Sequence, residues 1–517
     1  MMPRAVAGLL DWAVDRRRRA WEAVARAPIV TQERTLLGLV ARARGTVFGR
    51  RYGFEAIRTV ADYRRQVPLR DYLETKPLLD RAFAGEHDVT WPGRPRYWVK
   101  TSGTTAGDKV LPVTREAFAA HRRGGWDALL MAAERAGAAT LLGGPMLFLG
   151  GCTRLQPMGD GCLVGDLSGL VMRGLPPGIR GRYSPGPDVS AIPDWETRIE
   201  AVARLVAGQD LRLLSGMPSW MLILFERVAR LDGGARPPLG ERWPNLRVFV
   251  HGGVSFAPYA SVFDERVGRT LERIEVYPAS EGFVGLQTER TGGLTLMLDY
   301  GIFYEFVPFE DLRSASPRRH TVADVELDRP YAVALTSPAG LWSYLLGDLV
   351  RFTARDPLRL EIIGRTRHFV NAFGENVIVE EVERAIVEAC RRTGARVTEF
   401  TVAPRYAAGV ETRGRHDWLV EFAEMPHGPL EGFTRLLDDT LQQLNTDYRT
   451  KRTGDVGMLA PRLLPLPRGT FYLWMRSRGK LGGQNKVPRL TNDRLVAEGL
   501  LRTAGMPDDA AHTPVPA

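Results

Sequence analysis

The stretch KTSGTTAGDKVLPVT, Lys100 to Thr114, constrains the fold more than any other part of the chain. Small and hydroxyl residues from Thr101 to Gly107 let backbone N–H groups approach an anion closely, and the hydroxyls add donors. A strand candidate, RYWVK, runs into this loop. The apolar-periodic TREAFAAHRRGGWDALLMAAERA follows, with Thr114 placed to cap a helix. Strand, loop and helix N-terminus together suit a phosphate in an α/β layer. The spacing is not that of the common P-loop: three residues separate Gly103 from Gly107, Asp108 precedes Lys109, and no hydroxyl follows the lysine. Lys109 receives no role from this reading. Taken alone, the stretch is equally compatible with an ordinary strand-to-helix turn.

At 517 residues the chain exceeds the size at which one core stops growing, so two or three domains are expected. Helical periodicity covers residues 5–85. Beyond it, PMLFLG (145–150), RLLSGMP (212–218), LRVFVHGG (246–253) and RIEVYPAS (273–280) read as strands separated by helices, which predicts parallel layers. Period-two alternation in LTLMLDYGIFYEFVP predicts a hairpin turning near Asp299-Tyr300-Gly301, and YAVALTSPAGLWSYLLGDLVRF continues an antiparallel portion. A new unit starts near IGRTRHFVNAFGENV. Its periodic helix ends at Gly394, and VTEFTVAPRY, HDWLVEFAE, a helix across 429–447 and GTFYLWMRSRG complete a small β-α-β-like domain. The predicted class is α/β: a large N-terminal domain of mixed β-sheets flanked by helices, plus a small α+β C-terminal domain on a hinge. The expected bounds are 1–363, a hinge at 364–372, a mobile lid domain at 373–505, and a disordered tail at 506–517.

Composition narrows the function. The net charge is +10, yet 70 Lys and Arg are interspersed with 60 acids along the whole chain. The dense run RRRR at 16–19 lies in an amphipathic helix, so a nucleic-acid partner is not expected. No run approaches the roughly 18 apolar residues of a membrane span. The N-terminal apolar stretch is too short for a signal peptide. Three cysteines, at 152, 162 and 390, supply no disulfide framework, and Cys390 on its helix reads as structural. A cytoplasmic protein without a membrane partner is expected, and a monomer.

Further motifs carry chemistry. YPASEGFVG puts Tyr277, Ser280 and Glu281 at a strand end, where ligand sites of α/β sheets form. A glutamate there can hold Mg²⁺, which takes one or two carboxylates plus phosphate oxygens. Asp348 in YLLGDLVRF suits the two hydroxyls of a ribose. Arg365 stands at the domain boundary, and GKLGGQNKVPRL presents Lys486 on a glycine-rich loop.

In this order the motifs TSGTTAGDK, HGGVSFAP, YPASEG, YLLGD, GRTRHFVNAFGENV and GGQNKVPRL resemble the adenylate-forming superfamily, and more closely its GH3 branch of acyl-acid amido synthetases in a bacterial form. The resemblance runs from residue 100 to 490 and implies ATP and Mg²⁺ as cofactors. It implies that a carboxylic acid attacks the α-phosphorus of ATP to give an acyl-adenylate and pyrophosphate. An amine or amino acid then takes the acyl group as an amide. An acyl-CoA or other thioester-forming ligase shares the first half and is the alternative.

By the same resemblance Thr101, Ser102, Gly103, Thr104, Thr105 and Gly107 would cradle the outer phosphates. Glu281 would bind Mg²⁺, and Ser280 belongs to the same nucleotide-binding motif. Gly252 and Gly253 would admit the adenine, with Tyr277 stacking on it or serving as a core aromatic. Asp348 would bind the ribose. Arg365 would reach the ribose or α-phosphate, or form an interdomain ion pair. Lys486 would act in adenylation from the small domain. Phe148, Met217, Trp220, Val254, Phe283 and Trp342 are the acyl-pocket candidates, each equally readable as core packing. Some relatives fix the acid with an arginine on the helix after the phosphate loop; here Arg122 and Arg123 precede Gly124-Gly125 and the register is ambiguous.

Overall fold

The computed structural model describes residues 4–101, 109–159, 161–175, 177–231, 237–253, 256, 260–312, 314–366, 369–370, 372–375, 377–406, 413–455, 457–478, 487, 489–492 and 494–507. Helices Arg4–Arg26, Pro28–Ala43, Val60–Gln66 and Tyr72–Phe83 fill the N-terminal region. Capping boxes at Thr59/Asp62 and Asp71/Glu74 start the last two by satisfying first-turn N–H groups.

An eleven-stranded sheet among the described residues organises the large domain. From one edge, Tyr183–Ser184, Met146–Leu149, Leu213–Gly216, Val248–Gly252 and Glu272–Ala279 run parallel. From Glu272–Ala279 onward every pairing is antiparallel, through Gly282–Leu286, Leu294–Leu296, Leu358–Arg365, Leu341–Arg355, Pro330–Ser337 and Phe303–Pro308. The central strands Met146–Leu149 and Val248–Gly252 are mostly apolar on both faces, whereas Glu272–Ala279, at the border with the antiparallel half, carries Glu272, Arg273 and Glu275. Phe249 packs on the side of Ile199, Leu222 and Phe225, whereas Val248 and Val250 pack with Ala128, Met131 and Ile274.

A second sheet orders Lys109–Val113, Tyr97–Thr101, Cys162–Gly165 and Gln156–Met158. Here the structure corrects the strand-loop-helix expectation. Thr101 pairs with Lys109 and Tyr97 with Val113, so the loop of small residues joins two antiparallel strands. The apolar KVLPV buries Leu111 and Val113 and folds back as a strand before Thr114 caps Arg115–Ala136, its Oγ1 accepting from the Ala117 N–H at 3.1 Å. The helix N-terminus therefore does not follow the loop directly.

The C-terminal region carries a sheet of Arg396–Arg405, Arg415–Glu424 and Arg462–Leu466. Its faces alternate with period two. Val402, Trp418 and Val420 pack with helices Val379–Thr393 and Leu430–Leu444, while Ala403 and Leu419 pack with Thr470–Ser477 and Leu495–Thr503. Four local readings change. GTFYLWMRSRG contributes the helix Thr470–Ser477, and the third strand is Arg462–Leu466. The helix expected across 429–447 breaks at Asn445, whose side chain caps Thr446–Arg452. Leu294–Leu296 and Phe303–Pro308 do not pair with each other; each joins a different neighbour. Met506 packs against the last helix, and residues 508–517 of the expected tail lie outside the described residues.

Candidate active site

The parallel strands end in line at Leu149, Gly216 and Gly252, beside the turn Ser280–Glu281, along the edge where α/β sheets bind ligands. That edge opens into a cleft of about 820 Å³. Phe148, Ser215, Met217, Val276, Ser280 and Phe283 form its floor, and His121, Gly125 and Ala128 of Arg115–Ala136 form one wall. Gly374, Thr446, Asp447, Thr450 and Lys451 of the C-terminal region also line it.

Glu281 occupies the two-residue turn where the sheet changes from parallel to antiparallel. It is 7% exposed, and its backbone carbonyl accepts from Ser337 Oγ at 3.1 Å. Its carboxylate receives the hydroxyl of Tyr344, whose own oxygen accepts from the buried Lys109 Nζ at 3.4 Å. A desolvated carboxylate held by a phenol is a hard oxygen donor of the kind Mg²⁺ takes. Lys109, without a role in the sequence, thus stands at the end of the loop of small residues within this chain of polar groups.

Asp348 lies inside the strand Leu341–Arg355 rather than after it, opposite Arg365 in register, with Gly347 at φ +91°. Tyr277 Oη donates to Asp348 Oδ2 across a separation of 71 residues. Both side chains are buried. Tyr277 is therefore a core aromatic whose hydroxyl orients the carboxylate. Gly252 and Gly253 have packing reasons to be glycine. A Cβ on Gly252 would meet the Val276 carbonyl oxygen at 2.3 Å, and Gly253 has φ +84°.

Among the acyl-pocket candidates, Phe148, Met217, Trp220 and Phe283 line the cleft. Trp342 does not. Its indole packs with Phe48 and Phe54 and donates to the Thr90 carbonyl at 2.9 Å, in a separate core. The register of Arg115–Ala136 also resolves: Arg122 and Arg123 point outward, Arg123 pairing with Asp299 at 3.2 Å, and His121 faces the cleft. Gly124 leaves room for Phe283, whose ring would lie 2.4 Å from an added Cβ. Burial lowers the His121 imidazole to about 4, with the Ser280 backbone pulling the other way, so the ring is neutral at ordinary pH. His121, Asp166, Arg198 and Lys451 escaped the sequence reading. His121 was accessible, because it shares a helical face with Gly124, Gly125 and Ala128; the others come from segments without a motif.

Thr101 ends its strand, and Arg365 ends the strand Leu358–Arg365. Ser102, Gly103, Thr104, Thr105, Gly107, Val254 and Lys486 lie outside the described residues, as do residues 367, 368 and 371 of the expected hinge.

Comparison with known proteins identifies the family. Residues 17–215 match the GH3 family N-terminal domain, 295–365 the GH3 family central domain, and 380–495 the GH3 family C-terminal domain. The chain is 25% identical over 275 residues to the indole-3-acetic acid-amido synthetase GH3.3 of Arabidopsis thaliana, a match covering 50% of this chain and 45% of that protein. It is 28% identical over 275 residues to GH3.8 of Oryza sativa subsp. indica, covering 48% and 44%. The match thus spans about half the length of these curated relatives. Among solved structures, a GH3.15 acyl acid amido synthetase superposes with TM-score 0.58 at 15% identity, over 92% of this chain and 93% of that one. A 2-hydroxyisobutyryl-CoA ligase, in complex with 2-HIB-AMP and CoA, superposes with TM-score 0.57 at 14% identity, over 92% of each chain. The fold is shared with both, and with matches to its N-terminal, central and C-terminal domain models, the chain belongs to the GH3 family.

Proposed function

We propose that this protein is a ligase that joins a carboxylic acid to an amine or amino acid, with an acyl-adenylate as intermediate. One observation carries the reading: Glu281 and the Tyr277–Asp348 pair stand at the end of the strand Glu272–Ala279, whose alternate residues Val276, Pro278 and Ser280 line the cleft. In the first half-reaction the carboxylate oxygen attacks the α-phosphorus of ATP, the new O–P bond forms, and pyrophosphate leaves. Two anions must meet, so the barrier is largely electrostatic. Residues Thr101 to Gly107 would hold the outer phosphates, and Lys486 and Arg365 would face the α-phosphate. Asp348, aimed by Tyr277, would accept the ribose hydroxyls. Glu281 would hold Mg²⁺, which neutralises phosphate charge. His121, kept neutral, adds no second charge to the acyl end.

In the second half-reaction the amine nitrogen attacks the acyl carbonyl, the C–N bond forms and AMP leaves. Residues 364–372 would be the hinge that moves the 373–505 lid relative to 1–363 between halves. Within this reading the enzyme works in the cytoplasm as a monomer; no described helix is long and apolar enough to cross a membrane.

The test is ATP–pyrophosphate exchange with Mg²⁺ over aryl, indolyl, fatty and short-chain acids, followed by product mass with amino acids, ammonia and CoA. Acid-dependent exchange and an amide product are expected. Product with CoA alone would make the protein a thioester-forming ligase. No exchange with any acid and no ATP binding would overturn the reading.

A further inference from the structure

Lys451 is a lysine in an unusual place. It belongs to the short helix Thr446–Arg452 of the C-terminal region, yet it is 3% exposed and lines the cleft. Its Nζ lies 3.7 Å from the centroid of the Trp220 ring and 5.7 Å from that of Trp195, both from the large domain. Gly374, at φ +87°, leaves it space: an added Cβ would stand 3.4 Å from Nζ and 2.5 Å from Met217 Cε. Its carbonyl is tied by the N–H groups of Gly457 and Met458 at 2.8 and 3.0 Å, so the backbone beneath it is held. Among the described residues the ammonium makes no ion pair within 4.0 Å. A surface lysine snorkels to water; this one is directed into the cleft between aromatic faces.

This inference rests on the amide-forming reading. An amine attacks only as the neutral base, and it must shed a proton as the C–N bond forms. Of the other groups around the cleft, which include Glu196 and Asp447, three suit that task poorly. Asp194 is occupied capping Thr197, at 2.8 Å from its N–H, and Asp166 accepts from the Cys152 N–H at 2.7 Å. His121 lines the same cleft, but its buried imidazole is a weak base.

We propose that Lys451 is the base of the second half-reaction. The amine nitrogen donates its electron pair to the acyl carbonyl, the C–O bond to AMP breaks with its pair going to the phosphate, and the amine proton passes to Lys451 Nζ. The ammonium so formed rests over Trp220, whose ring face attracts a cation. Solvent removes the proton when the lid opens. The charges facing Lys451 are Asp447 on its own helix, Glu375 from the turn beside Gly374, and Arg198 from the helix Trp195–Ala207. Burial lowers Lys451 to about 7, Arg198 acts in the same direction, and Asp447 and Glu375 oppose them. A base poised near neutrality is the efficient kind.

The test compares the wild-type enzyme with Lys451→Met and Lys451→Arg, each first shown by thermal melting to be folded. Preformed acyl-adenylate is supplied, and amide is followed by mass across a pH series, beside pyrophosphate exchange. Both variants should slow amide formation by about 100-fold or more and slow exchange far less. The wild-type amide rate should rise through an inflection near 7 that Lys451→Met lacks. Hydroxylamine, a stronger nucleophile whose adduct gives up its proton more readily, should be slowed less by both variants than an amino acid is. Rescue by arginine would make Lys451 a fixed charge and overturn the proposal. So would equal loss in both halves, or a wild-type profile without the inflection. Wild-type enzyme silent in exchange would overturn the parent reading instead, and this one with it.

Discussion

Acid should destabilise the protein through His121, and the amount follows from its burial. The imidazole is 4% exposed, and burial lowers it from the ordinary 6.5 to about 4. The folded value is depressed, so the contribution is intact above 6.5 and is lost as pH falls toward 4. At about pH 5 the unfolded chain has taken up the proton and the folded one has not, a difference of about 2 kcal/mol. The raw pH curve will not display it alone. His251, also lowered to about 4, adds to it, whereas Glu275, raised by burial to about 7, acts with the opposite sign. The difference between wild type and His121→Gln isolates the term, since the amide keeps a donor for the Ser280 backbone without titrating. Urea unfolding at about pH 7.5 and about pH 5 should show the variant losing about 2 kcal/mol less than wild type. Equal losses would mean that the imidazole reaches water or gains an anion in the fold, against its place beneath the Ser280–Glu281 turn.

Three further outcomes are expected. Tyr277→Phe removes a hydrogen bond to the Asp348 carboxylate, worth about 1.5 kcal/mol or more, so ATP affinity should fall about tenfold; unchanged affinity in a nucleotide titration would separate Asp348 from the ribose. Gly124→Ala drives a methyl into the Phe283 ring at the cleft floor, so exchange assays should show a preference shifted toward smaller acids, with melting temperature lowered. Lys486→Ala should lose most adenylation yet keep amide formation from a supplied acyl-adenylate; equal loss of both halves would refute its role.

Much of the fold is legible because its signals are local. The unbroken apolar runs that mark RVFVHGG and PMLFLG as buried strands, the Thr114 cap, and the Glu-rich helix ending at Gly394 each lie within one short window. The order of the six motifs is equally plain, and so is the place of Glu281 at a strand end. KVLPV is long enough for a strand, but the small residues before it and the Thr114 cap after it are the stronger local signals.

What the sequence by itself determined is which segments form strands and helices and which carry polar chemistry, because backbone propensity and periodicity act over a few residues. The tertiary structure alone decided which side chains meet. Tyr277 and Asp348 face each other across 71 residues only because their strands share one sheet. Trp342 and Trp220 look alike as indoles near motifs, but one strand buries its tryptophan behind Thr90 and the other segment sets its ring beneath Lys451 in the cleft. Such pairings depend on sheet register and on how the two regions pack, and no short window of sequence contains either.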